Sequence, residues 1–103
     1  MYTVEVQSVK ELKHILSNKD LKVSRAIVRN IINNLNTPYN PIHVLDAKVK
    51  GVIKPLKLVV NRDNVVLVLE KNLKIHEIYE DYESCADIRD IIFKLKGISL
   101  NYI

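Results

Sequence analysis

Three histidines and a short acidic stretch are the residues of this chain whose types suit metal chemistry. His14, His43 and His76 are far apart and lack the close spacing of histidine ligands in zinc sites. The sequence therefore predicts that each is an ordinary surface or edge residue. A site for a hard metal ion beside His76 is the alternative, formed by the acids that follow it, Glu80, Asp81 and Glu83. Acids near the start of a helix explain the same pattern, and we expect no bound metal.

The single cysteine, Cys85, is the residue best suited to nucleophilic chemistry. It follows Ser84, the predicted cap of a helix, and a helix N-terminus favours the thiolate. Nucleophilic catalysis also needs a base paired with the thiol, and the sequence shows none, so we interpret Cys85 as a small structural residue. The chain has only two glycines and no glycine-rich phosphate-binding loop. We expect no enzyme activity and no cofactor.

Charge is distributed unevenly along the chain. The net charge of the chain is +4, but residues 77–90 form an acidic segment that contains six acids and a single base, Arg89. Most of this charge is expected to be solvated surface, and an acidic run suits the start of a helix. One cysteine cannot form an internal disulfide, and no apolar run is long enough to span a bilayer. These features favour an intracellular protein without a membrane segment.

The basic residues leave nucleic-acid binding as the alternative function. A basic stripe along neighbouring strands would be formed by Lys48, Lys50, Lys54 and Lys57. A sheet that recognises RNA presents aromatic residues for base stacking, and the runs LKLVV and VVLVL contain none. The alternative therefore depends on charge alone.

Two similar segments of twelve residues are the elements that must position a site. Ser24–Leu35 and Ser84–Leu95 are identical at six positions without a gap. Each has its apolar residues on one helical face, which predicts two amphipathic helices. We interpret them as the helices of an internal repeat, residues 2–50 and 56–103, within a single domain of residues 1–103.

Shorter patterns predict the remaining elements. Ser8 and Glu11 have the spacing of a capping box, which predicts a short helix to about Ser17. Lys71–Tyr82 fits either a strand or a short helix or turn, and the repeat favours the second. Alternating or β-branched residues predict strands at Tyr2–Val6, Ile42–Lys50, Leu56–Val60, Val65–Leu69 and Ile98–Tyr102, the third and fourth forming a hairpin.

The order of these elements predicts an α+β fold. Two β-α-β motifs, related by an approximate two-fold axis, would form a ferredoxin-like or related sandwich with one sheet backed by helices. In such a sheet the edge strands are Ile42–Lys50 and Ile98–Tyr102. The first carries charge and follows a proline, whereas the second, ISLNYI, carries no charged side chain. The groove between the two halves is the expected place for a site.

The duplicated SxAxxRxIIxxL segment, with strands rich in Lys, Ile and Val, resembles the small orphan proteins of filamentous and rod-shaped archaeal viruses. One such protein of nearly this length is built from two similar motifs with a peptide-binding groove between them. The resemblance implies a viral protein of the host cytoplasm, with a protein-interaction role and no enzyme activity.

These observations lead to a non-enzymatic interaction module that binds a peptide or protein partner between its two motifs. Arg29 and Arg89 occupy equivalent helix positions, and we predict that they flank the site; the alternative is that each makes only a local ion pair, Arg89 with Glu83 or Asp90. The unprotected edge is predicted to pair with a partner peptide, or with its own copy in a homodimer, through Ile98, Leu100 and Tyr102.

Overall fold

Within residues 2–17 and 20–97, which the computed structural model describes, the chain forms a three-stranded mixed sheet with four helices packed against it. The predicted α+β class is confirmed. In chain order the elements are β1 (Thr3–Val6), α1 (Val9–Ser17), α2 (Leu21–Asn33), β2 (Ile42–Val49), β3 (Leu56–Val60), a 3-10 turn (Arg62–Asn64), α3 (Val65–Ile78) and α4 (Tyr82–Leu95).

Side-chain caps fix the starts of the first two helices. The Ser8 hydroxyl accepts a hydrogen bond from the Glu11 amide at 3.2 Å, and the Glu11 carboxylate accepts one from the Gln7 amide at 3.1 Å. The predicted capping box is therefore present, with the carboxylate reaching one residue further back than usual. Asp20 has the same role for α2, where it accepts a hydrogen bond from the Val23 amide at 3.0 Å.

The central strand of the sheet is β2. It pairs in parallel with β1, so that α1 and α2 form the crossover between them, and it pairs antiparallel with β3. The prediction that Ile42–Lys50 is an edge strand is therefore wrong, because a strand that pairs on both sides has no free edge. Between Tyr2 and Gly97, the described strands at the edges are β1 and β3.

An irregularity in β2 divides the core into two clusters. The pairing with β3 shifts between His43 and Leu45, so that the adjacent residues Val44 and Leu45 are both buried. The strand residues before the shift pack with α3 and α4, whereas those after it pack with β1 and α1. Ile27 and Leu58 contact both clusters and join them into one core.

The segment Val65–Leu69, predicted as the second strand of a hairpin, forms the first part of α3 instead. A run of β-branched residues is favourable in a strand, but packing against α2 and α4 overrides this preference. The same helix continues through Lys71–Ile78, which confirms the prediction of helix rather than strand there. The buried residues of α3 recur at helical spacing and are Val65, Leu69, Asn72 and His76.

The side chain of Arg62 holds the loop between α2 and β2 at several points. Its guanidinium group donates hydrogen bonds to four carbonyl oxygens of this loop: those of Asn34 at 2.7 Å, Leu35 at 3.3 Å, Thr37 at 2.6 Å and Tyr39 at 2.6 Å. Arg62 belongs to the turn that leads from β3 into α3. It therefore links the end of α2 to the start of α3.

The two similar segments are both largely helical, as predicted, but they bury different faces. Residues 24–33 belong to α2 and residues 84–95 to α4. Ile31 and Ile92 are buried, whereas Ile32 and Ile91, their neighbours, are only half-buried. The buried stripe of α4 is thus rotated relative to that of α2.

The structure shows one β-α-β unit, formed by β1, the first two helices and β2. A second unit is not present in the described part of the chain, because α3 replaces the predicted fourth strand. The strand predicted at Ile98–Tyr102 lies outside the described residues.

Candidate functional site

A groove with a volume of about 470 Å³ lies between α2, α4 and the end of α3. We call it the α2/α4 groove. It lies between the helices of the two similar segments, where the sequence predicts the site. Its lining residues are Arg25, Val28, Arg29, Ile32, Asn33, His76, Asp81, Ser84, Asp87 and Ile88.

Helical spacing gives this groove walls of opposite charge. Arg25 and Arg29 are one turn apart on α2 and form a basic wall. On the other side, Asp81 precedes α4 and Asp87 lies in its second turn, which makes that wall acidic. Between the walls, the floor is apolar and consists of Val28, Ile32 and Ile88.

A tight turn after α3 brings the side chain of Asp81 into contact with that of His76. The amides of Glu80 and Asp81 donate hydrogen bonds to the carbonyl oxygens of Glu77 and His76, at 3.1 and 2.9 Å. This arrangement is a Schellman motif, with Glu80 in the left-handed conformation at a φ of 57°. Because the turn ends at Asp81, that residue is the N-cap of α4, and the prediction that Ser84 caps the helix is wrong.

Three helices meet at the carboxylate of Asp81. Its Oδ2 atom lies 3.2 Å from Nδ1 of His76 and 3.2 Å from Nη2 of Arg25. His76 is 1% exposed, so the prediction of a surface histidine is wrong. Arg25, by contrast, is half-exposed at the rim of the groove.

The environment of Asp81 keeps its carboxylate ionised. The neighbouring Ser84 hydroxyl, followed by His76 and Arg25, lowers the pKa of Asp81 from 3.8 to about 2, although partial burial acts in the opposite direction. An ionised carboxylate accepts but does not donate, so the proton between the two groups belongs to Nδ1 of His76. The other ring nitrogen, Nε2, is buried and has no hydrogen-bond partner in the described part of the chain.

Polar and sulfur-containing residues are buried behind the groove. The Ser24 hydroxyl donates a hydrogen bond to Oδ1 of Asn72 at 2.7 Å, which joins α2 to α3. Cys85 is fully buried, and burial raises the pKa of its thiol. A raised pKa disfavours the nucleophilic thiolate, which supports the structural role predicted for Cys85.

The structure separates the two arginines that the sequence pairs. Arg29 is exposed and lines the α2/α4 groove. Arg89 does not line it; its Nη2 atom lies 4.0 Å from Oε1 of Glu77, on α3, rather than beside Glu83 or Asp90. The remaining predicted partner-binding residues lie outside the described part of the chain: Ile98, Leu100 and Tyr102.

Two of the four lysines of the alternative nucleic-acid site lie opposite acids of the neighbouring strands. Lys48 lies opposite Glu5 of β1, and Lys57 lies opposite Asp46 of β2. These acids reduce the positive potential that a phosphate backbone would meet on this face of the sheet. The other two lysines are exposed at and beyond the end of β2: Lys50 and Lys54.

Sequence reasoning missed most of the residues that form the groove, because their partners are remote in sequence. Arg25 and Asp81 are 56 residues apart. The signal available in the sequence was the spacing of Arg25 with Arg29 on the polar side of a predicted helix, opposite the acidic segment. Charge complementarity between two predicted helices would have indicated that they pack side by side.

The described residues contain neither a cluster of metal ligands nor a membrane-spanning helix. Within residues 2–17 and 20–97, no group of three or more His, Cys, Asp or Glu side chains is arranged to hold a metal ion. In that same part of the chain, each helix is too short or too polar to cross a bilayer.

No protein-family model matches this sequence, and neither the comparison with curated proteins nor that with solved structures finds a match.

Proposed function

We propose that this protein is a non-enzymatic interaction module that binds a segment of a partner protein in the α2/α4 groove. The observation that supports this most strongly is the state of Arg29. Its guanidinium group lines the groove and has no hydrogen-bond or ion-pair partner among the described residues, whereas that of Arg25, one turn away, is paired with Asp81. Arg29 is therefore available to a carboxylate from outside.

The charges of the groove suit a peptide better than a nucleic acid. A peptide presents acidic, basic and apolar side chains together, so it can match Arg29, Asp87 and the apolar floor at the same time. A phosphate backbone is uniformly negative, and Asp81 and Asp87 would repel it. The partner segment therefore has an acidic residue for the α2 wall, an apolar residue for the floor and a basic residue for the α4 wall.

Selection from a random-peptide display library, with the purified chain as bait, tests this proposal. Enriched peptides should share an acidic and a basic residue with an apolar residue between them. A synthetic peptide of that sequence should then bind the wild type in a fluorescence-anisotropy titration. Arg29→Ala should weaken binding about tenfold or more, since it removes a charged partner at the groove wall.

The matched control is Arg89→Ala, which removes an exposed arginine from the equivalent position of α4 without changing the groove. It should leave peptide binding unchanged, and both variants should keep the wild-type thermal midpoint. Equal affinities of the two variants for the peptide, or no enriched sequence at all, would remove the proposal.

A salt titration with labelled random DNA examines the nucleic-acid alternative separately. Binding that weakens steeply with salt and disappears in Lys48→Glu/Lys57→Glu would favour that alternative. We expect no such binding, because acids lie opposite both lysines in the sheet.

A further inference from the structure

A second groove, with a volume of about 500 Å³, lies between α1 and α3. We call it the α1/α3 groove. Its apolar lining comes from Leu16 of α1 and from Ile75 and Ile78 of α3. Its charged lining residues are all lysines: Lys13, Lys71 and Lys74.

This combination of residues is unfavourable while the groove is open to water. Lys71 and Lys74 are one turn apart on α3, and like charges at that spacing repel each other. Leu16 and Ile78 are 38% and 56% exposed. A partner with acidic and apolar side chains would neutralise the lysines and cover the exposed hydrocarbon at once.

The chain itself carries a surface of that composition. The turn after α3 and the first turn of α4 together contain two tyrosines, 52% and 64% exposed, and two exposed acids without an ion pair in the described part of the chain. We call this surface the acidic-aromatic patch; its residues are Tyr79, Glu80, Tyr82 and Glu83. The patch adjoins the groove, because Ile78 lines the groove and directly precedes Tyr79.

We propose that the α1/α3 groove binds the acidic-aromatic patch of a second copy of this chain, in a two-fold symmetric dimer. Complementary surfaces that lie side by side on one molecule permit a closed, isologous contact, in which one two-fold rotation seats each patch in the other groove. The tyrosine rings cover Leu16, Ile75 and Ile78, and the glutamates face Lys71 and Lys74. The distance along α3 from Lys71 to Ile78 is about 10 Å, which matches a patch of one turn and its flanking residues.

This dimer differs from the one that the sequence predicts through Ile98–Tyr102, and none of the residues that it uses lines the α2/α4 groove. It therefore does not depend on the proposed peptide binding. A groove that instead binds a different protein of the same chemistry would leave the purified chain monomeric. The mass of the purified chain therefore distinguishes the two occupants.

Sedimentation velocity of the purified chain over a range of concentrations tests the proposal. The wild type should reach twice the 11.9 kDa mass of one chain, and added salt should weaken the association. Lys71→Glu/Lys74→Glu should be monomeric because both grooves then repel both patches. Glu80→Lys/Glu83→Lys should be monomeric for the converse reason.

A mixture of the two charge-reversed proteins provides the strongest evidence. Each groove then meets a patch of opposite charge, so the mixture should form a heterodimer although neither protein associates alone. Lys48→Glu/Lys57→Glu makes the same charge change on the sheet and should dimerise like the wild type. A monomeric wild type, a dimer that persists in both charge-reversed proteins, or a mixture that stays monomeric would overturn the proposal.

Discussion

The imidazole of His76 and the carboxylate of Asp81 are joined both through their side chains and through the backbone. Nδ1 of His76 lies 3.2 Å from Oδ2 of Asp81, and the His76 carbonyl oxygen accepts a hydrogen bond from the Asp81 amide at 2.9 Å. The same carboxylate pairs with Arg25 of α2. This relationship fixes the end of α3, the start of α4 and one wall of the α2/α4 groove relative to one another.

Replacement of this carboxylate should change how stability depends on acid. The pKa of Asp81 is about 2 in the folded chain, below its ordinary value of 3.8. The stabilisation that the ionised Asp81 carboxylate contributes is therefore fully present above about pH 4, and it is lost as the pH falls from 3.8 towards 2. In urea denaturation between pH 5 and pH 2, Asp81→Asn should lose less stability than the wild type. Acid profiles that run parallel in the two proteins would contradict this role of the Asp81 carboxylate.

Glycine at position 80 should stabilise the protein. Glu80 has a φ of 57°, and a Cβ atom makes this conformation unfavourable. Glu80→Gly should raise the free energy of unfolding by about 0.5 to 1 kcal/mol, after allowance for the greater freedom of glycine in the unfolded chain. Glu80→Ala retains Cβ and should bring no such gain. A thermal midpoint that rises equally in both variants would show that loss of the charge, rather than relief of the backbone, is responsible.

The buried pair of Ser24 and Asn72 should be coupled in stability. Ser24→Ala leaves Oδ1 of Asn72 without the hydroxyl donor at 2.7 Å, which should cost about 1 to 3 kcal/mol. Ser24→Ala/Asn72→Leu removes both polar partners and should cost less than the sum of the two single changes. Strict additivity in a double-mutant cycle from urea denaturation would contradict this coupling.

Polar residues at buried positions of α3 explain why its full length could not be predicted from the sequence. Its inward positions include Asn72 and His76, so the apolar residues alone do not show the helical period. Val65–Leu69, taken by itself, has the composition of a strand. Tertiary partners decide the outcome, since Asn72 is satisfied by Ser24 and His76 by Asp81. The helices α1, α2 and α4 follow regular amphipathic patterns and were predictable.

The position of β2 in the sheet was equally inaccessible to sequence reasoning. Its buried residues Leu45, Ala47 and Val49 can be identified from the sequence, because their alternation with charged residues marks one face of a strand. Alternation does not identify neighbours, however, and the sheet order followed from an assumed hairpin that is absent. The same limit applies to the site. The sequence identified Arg29 as a candidate, whereas His76 and Asp81 acquire their roles only through packing.

Truncation of the core should distinguish the two similar segments. Ile31→Ala and Ile92→Ala should each lower the free energy of unfolding by about 2 to 5 kcal/mol, because both side chains are buried. Ile32→Ala should cost only about 1 kcal/mol, since that side chain is half-buried at the groove floor. Equal losses for Ile31 and Ile32 in urea denaturation would mean that the face of α2 is wrongly placed.

Arg62 makes the two loops that flank β2 unequal as places to modify the protein. The loop before β2 directs four carbonyl oxygens at one guanidinium group, so an inserted tag or a cut there would also release the start of α3. The loop after β2 carries Ile53, which is 97% exposed. A fluorophore or affinity handle for the binding experiments therefore belongs at Ile53, where attachment leaves both grooves and the core untouched.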